Sequence, residues 1–110
     1  MNWKEFIDEN GLEAIKLKSA ETPQVIFKHS TTCSISIMAK GRLDRADMPA
    51  GIDFNYLDLK SYRSISTKIA EDFDVQHESP QVLIIKNGTC VYDESHNAIS
   101  MDDILEAVSQ

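Results

Sequence analysis

The chain is short of cysteine and has no paired cysteines. Its two, Cys33 and Cys90, lie far apart in sequence, and no CxxC occurs. A small secreted disulfide domain usually carries more, and a structural disulfide is not expected in the cytosol. The three histidines, His29, His77 and His96, are scattered and share no zinc-type spacing with the cysteines, so no metal site is expected. Basic blocks are also missing. Lys16 with Lys18 and Arg42 with Arg45 are isolated pairs flanked by acids, and the formal net charge is −7. Phosphate neutralisation supplies most of the affinity in nucleic-acid complexes, so that class of partner is disfavoured. No apolar run approaches the roughly 20 residues of a membrane span. The opening "MNWKEFIDEN" carries Glu5, Asp8 and Glu9 and no apolar core segment. Neither a secretory leader nor a membrane partner is expected, and a cytoplasmic location is. Repeats and low-complexity segments are absent.

What is present is an ordinary globular composition, with 42% hydrophobic and 26% charged residues in 110. That length suits one domain over residues 1–110, with a monomer as the default. "WKEFI" (Trp3 to Ile7) is either a short strand or a first helical turn. Asp8 is placed to cap a helix over Glu9 to Ser19, with Leu12 and Ile15 inward, Gly11 as a weak spot and Pro23 as the stop. "QVIFKH" (Gln24 to His29) has the consecutive apolar residues of a strand buried on both faces. A helix should follow from Cys33 or Ser34 to Arg42, with Ile35, Met38 and Ala39 forming its apolar stripe.

After the loop "DRADMPAG", "IDFNYLDL" alternates as a second strand. Ser61 is placed to cap a helix from Tyr62 to Phe73, with Ile65, Ile69 and Phe73 on one face. "QVLIIK" and "TCVYDE" flank Asn87–Gly88, a strong type I′ hairpin signal. Ser100 and Asp103 resemble a capping box for a last helix with Ile104, Leu105 and Val108 inward. Strands joined through a helix run parallel with a right-handed crossover. The expected fold is therefore a three-layer α/β/α sandwich with a four-stranded mixed sheet.

This order delivers "STTC" from the end of a buried strand to the start of a helix. Cys33 then meets backbone N–H groups that lack intrahelical partners, at the positive end of the macrodipole, and both favour a thiolate. Backbone amides from Thr32 to Ser36, with the Ser34 N–H or hydroxyl, are candidates to hold that charge. Ser36 stands where a two-cysteine site would place its resolving thiol. A hydroxyl there can hydrogen-bond the sulfur but cannot form a disulfide. His29 either assists Cys33 or merely closes the strand. Ser79–Pro80 opens a strand after a polar turn, a place where a cis bond is tolerated. A cis Pro80 near Cys33 would leave the Ser79 backbone free to pair with an extended substrate. Cys90, Ser95 and His96 are read as structural.

The segments "FKHSTTCSIS", "SPQVLIIKNG", Ser95–His96 and Ile99–Ser100, with the helix before "VQHESP", resemble the thioredoxin-like superfamily. Within it the chain resembles the YtxJ-type proteins of the bacillithiol system, the monothiol bacilliredoxins. The resemblance implies a thioredoxin fold with a cis Pro80. It implies that Cys33 is the nucleophile toward mixed disulfides between proteins and bacillithiol, a small bacterial thiol acting as co-substrate, with no bound cofactor. Two positions depart from the family pattern. Ser34 replaces the usual proline after the cysteine, and Asp74 stands where glycine is expected at a helix end. Two other readings remain open: a non-catalytic thiol-sensing or stress-response module, and an iron–sulfur carrier, for which "CSIS" lacks the glycine of "CGFS". A phosphatase-type loop would need arginine where Met38 stands.

Overall fold

The computed structural model describes residues 2–47 and 49–110. Met1, in the opening stretch, and Met48, in the loop "DRADMPAG", lie outside them. The elements in chain order are β1 (Lys4–Glu5), α1 (Glu9–Lys18), β2 (Gln24–His29), α2 (Ser34–Arg45), β3 (Asp53–Asp58), α3 (Arg63–Phe73), β4 (Gln81–Lys86), β5 (Thr89–Ser95) and α4 (Met101–Val108), with a 3₁₀ turn at His96–Ala98 before α4. The sheet order is β1-β3-β2-β4-β5. β1, β3 and β2 run parallel, and β4 and β5 add antiparallel.

The three-layer sandwich stands, but the sheet has five strands rather than four. β1 is the addition, an edge strand of two residues beside β3. So short a segment has no periodicity to read, and its pairing depends on β3. "VIF" in β2 is buried on both faces because β2 is a central strand. Val25 and Phe27 pack with α2 and α4, while Ile26 faces α1 and α3. β4 divides in the same way, with Val82 and Ile84 on one face and Leu83 and Ile85 on the other.

Local chemistry sets most boundaries. Asp8 Oδ1 accepts from Gly11 N–H at 2.8 Å and caps α1. Gly11 is tolerated there because a Cβ would come within 2.9 Å of Phe6 Cβ. Asn87 (φ 53°) and Gly88 (φ 74°) both adopt the left-handed backbone of the type I′ turn. That turn docks on α1, where Ser19 C=O accepts from Asn87 N–H at 2.9 Å and Ser19 Oγ accepts from Gly88 N–H at 2.8 Å. Asp74 (φ 54°) ends α3 in the left-handed place usually given to glycine.

Three expectations are corrected. The buried face of α2 is Ser36, Ala39 and Leu43, and the helix runs on to Arg45. Ile35 (40% exposed) and Met38 (61%) lie outside, because Ser36 is drawn inward by polar partners. Tyr62 rather than Ser61 is the N-cap of α3, since Ser61 Oγ is taken by Asp58 Oδ2 at 3.0 Å. Leu105 is 37% exposed, and Met101 instead joins Ile104 in the core. Ser100 does cap α4, accepting from Asp103 N–H at 3.2 Å.

Candidate active site

β2 ends at His29, and after four intervening residues the chain enters α2 at Ser34. Cys33 is the N-cap of α2, with extended backbone (φ −96°, ψ 122°), and no side chain caps this helix. Its own N–H donates to Ser30 C=O at 3.3 Å, and its C=O accepts from Ile37 N–H at 2.9 Å. The residue therefore stands at the position where serine or aspartate would offer oxygen to the first free N–H groups. Cys33 is half-buried and not disulfide-bonded. Thr32 is exposed, and its Oγ1 accepts from Lys60 Nζ at 3.2 Å. Ser34 is exposed at the first helical position.

Ser36 turns away from solvent. It is fully buried, accepts from Ser30 N–H at 2.9 Å, and lies 2.7 Å from His29 Nδ1. These bonds tie the first turn of α2 to the end of β2, so Ser36 and His29 fix the loop that presents Cys33. His29 is buried, stacks on Phe27 at 5.5 Å between centroids and meets Tyr56 edge-on at 6.4 Å. Burial, helped by the Lys40 charge, lowers its pKa and holds the ring neutral. With the ring proton on Nε2, the Ser36 hydroxyl donates to Nδ1. With the proton on Nδ1, Ser36 accepts twice and its hydroxyl proton is free to turn elsewhere.

The Ser79–Pro80 peptide bond is cis. Lys28 pairs with Gln81 across β2 and β4, so Pro80 lies at the end of the sheet where β2 hands over to the cysteine loop. Pro80 C=O accepts from His96 N–H at 3.1 Å, and Arg42 donates to Ile99 C=O at 3.1 Å. Ser95 and His96, read from sequence as structural, are thereby drawn to the same end. Cys90 is not. It pairs with Ile85, which pairs with Gln24 at the start of β2. A six-residue strand rises about 20 Å, so Cys90 lies near the far end of the sheet from Cys33. Burial pushes its thiol upward, and its Sγ contacts Tyr92 C=O at 3.3 Å.

The family model for monothiol bacilliredoxin BrxC matches residues 4–104. The chain belongs to the monothiol bacilliredoxin family. A thioredoxin-fold protein whose oxidoreductase role is itself proposed is similar at 26% identity and TM-score 0.85, over 96% of this chain and 93% of that one. The thioredoxin of Trypanosoma brucei brucei is similar at 11% identity and TM-score 0.80, over 99% and 93%. Spinach chloroplast thioredoxin f (short form) is similar at 17% identity and TM-score 0.72, over 97% and 90%. The last two show the fold alone. This bacilliredoxin thus has the family and fold of thiol oxidoreductases.

Sequence reasoning missed two contributors at this end of the bacilliredoxin sheet. Lys60, just beyond β3, reaches Thr32. Lys28 is fully buried within β2, and its Nζ lies 3.3 Å from His77 Nδ1. The available signal was a lysine inside an otherwise apolar strand. Among the described residues, no helix is long and apolar enough to cross a membrane.

Proposed function

We propose that this bacilliredoxin removes a low-molecular-weight thiol, bacillithiol, from S-thiolated proteins in the cytoplasm. The Cys33 thiolate attacks the small-thiol sulfur of a protein mixed disulfide. A Cys33–small-thiol disulfide forms, the protein–sulfur bond breaks, and the protein thiolate leaves and takes a proton from water. A second molecule of small thiol then attacks the adduct. It gives a symmetrical small-thiol disulfide and returns Cys33, and the exchange involves no net change in oxidation state.

The single observation that carries this reading is the contrast at the two ends of "CSIS". Cys33 is the N-cap residue of α2, a helix whose start no side chain caps, while Ser36 is committed to Ser30 and His29. The loop is thus rigid around one thiol and offers it no neighbouring thiol, which suits a carrier of one adduct. Thr32 and Ser34 flank the sulfur, and the Ser79 backbone before cis Pro80 is the edge for an extended substrate. Ile35, Ile37 and Met38 are exposed on the first turns of α2 and provide apolar surface for a protein partner.

Incubation with oxidised bacillithiol, followed by mass spectrometry, is expected to add one small thiol at Cys33. An adduct confined to Cys90, or none, would overturn the reading. Adduct formation without turnover of a mixed-disulfide substrate would instead favour the thiol-sensing alternative.

A further inference from the structure

The exposed face of α2 carries a groove of about 450 Å³, lined by Ile37, Met38, Gly41, Arg42 and Arg45. It begins one turn from the active-site cysteine, where Ile37 N–H donates to Cys33 C=O at 2.9 Å. At roughly 1.5 Å per residue, Arg45 stands about 18 Å along the helix from Cys33. An extended segment of about five residues spans that distance.

The groove is apolar at the end near the cysteine and cationic at the other. Ile37 is 51% exposed and Met38 61%. Arg42 and Arg45 make no ion pair among the described residues. Arg42 donates instead to backbone, to Ile99 C=O at 3.1 Å and to His96 C=O at 3.4 Å. Those bonds hold the side chain in place and leave its charge without a counter-ion. Asp44, an acid on the same turn of helix, is committed elsewhere. It accepts from Trp3 Nε1 at 2.6 Å and from Lys40 Nζ at 2.8 Å. Gly41 lies between the two ends. Glycine weakens a helix interior, and here a Cβ would stand 3.3 Å from Arg45 Nη1. The guanidinium therefore lies back over bare backbone, and the floor of the groove stays open.

The macrodipole favours cations near a helix C-terminus. That accounts for Arg42 and Arg45, but not for two large apolar side chains left in water in line with them. A segment bringing an apolar side chain and carboxylates satisfies both halves of the groove. A second copy of the chain would bring its own net charge of −7 to the contact, so self-association is disfavoured. We infer that the groove receives a segment of the S-thiolated protein that has an apolar residue beside the modified cysteine and carboxylates about four or five residues from it. The inference rests on the mixed-disulfide reading and adds a preference among protein partners. Such a preference runs against the field of the whole acidic chain, which by itself would favour basic partners.

Two measurements on the full chain test it. The first compares two peptides, each carrying one cysteine disulfide-linked to glutathione and flanked on both sides by leucine. One has glutamates farther out on both sides, and the other has lysines at the same places. The glutamate peptide should be deglutathionylated with a kcat/KM roughly 10-fold higher, the worth of one charge-assisted contact. In Arg45→Glu, which keeps the Arg42 bonds to backbone, the ratio should fall to 1 or below. Equal rates or a lysine preference in the wild type, or a ratio kept in Arg45→Glu, overturn the inference and leave the mixed-disulfide reading standing. If neither peptide leaves an adduct on Cys33, that reading fails and the substrate segment as occupant fails with it.

The second uses the glutamate peptide with serine in place of its cysteine, so that no sulfur can exchange. Amide shifts at Ile37, Met38 and Gly41 that vanish in Arg45→Glu support the groove as the docking site. Shifts that are absent, or confined elsewhere, overturn it. Sedimentation of the chain without peptide gives a further check. A dimer that Arg45→Glu dissolves would assign the groove to a second copy and overturn the inference, whereas a monomer in both supports it.

Discussion

Ser36 Oγ lies 2.7 Å from His29 Nδ1, joining the first turn of α2 to the last residue of β2 beneath the cysteine. This contact makes a serine, rather than an isoleucine or methionine, the inward residue of the first helical turn. Ser36→Ala removes it and leaves Ser30 N–H buried without its acceptor. A loss of about 1–3 kcal/mol in unfolding free energy is expected from denaturant titration. The Cys33 alkylation rate should change with it, because the loop that presents the sulfur is released. An unchanged midpoint and an unchanged rate would show the contact to be incidental.

Lys28 gives a pH-dependent prediction. Burial lowers its ammonium from 10.5 to about 8. The unfolded chain therefore binds that proton more tightly than the native one. Its share of stability is full above about 10.5, falls as the pH drops toward about 8, and stays low below that. At pH 7 the difference corresponds to about 3 kcal/mol against the fold. Lys28→Met should be more stable than the wild type at pH 7, by an amount that shrinks as the pH is raised toward 10. A difference independent of pH would show that Lys28 is not desolvated in the native state.

Ser34→Pro should fit without strain. The residue before a proline must be extended, and Cys33 already is, at φ −96° and ψ 122°. Proline is also favoured at the first helical position. The variant should gain about 0.4–1 kcal/mol through the unfolded chain. It also loses one N–H beside the sulfur, so Cys33 alkylation at neutral pH should slow. A destabilised variant, or an unaltered rate, would contradict this.

The two thiols should separate cleanly by reactivity. Native protein treated with iodoacetamide should label at Cys33 first, and Cys90 should label mainly after denaturant is added. Cys33→Ser should abolish small-thiol exchange, whereas Cys90→Ser should leave the adduct stoichiometry at one. Peptide mapping that finds early labelling at Cys90 would show the β5 edge to be more open than its burial indicates.

The features readable from sequence were those with a local cause. "VIF" announced a central strand, Asn87–Gly88 a type I′ turn, Asp8 and Ser100 their caps, and the "STTC" junction a cysteine at a helix start. Each depends on residues within one turn or one strand, where propensity and hydrogen-bonding chemistry act over short distances. Tertiary structure decided the rest. β1 is a strand because β3 lies beside it. α2 turns Ser36 inward because His29 and Ser30 wait there, overriding the apolar pattern of Ile35 and Met38. Lys28, an odd letter in an apolar strand, gained a meaning only once α3 and the His77 loop closed over it. Burial and pairing between distant segments are set by packing, and no stretch of this sequence carries them alone.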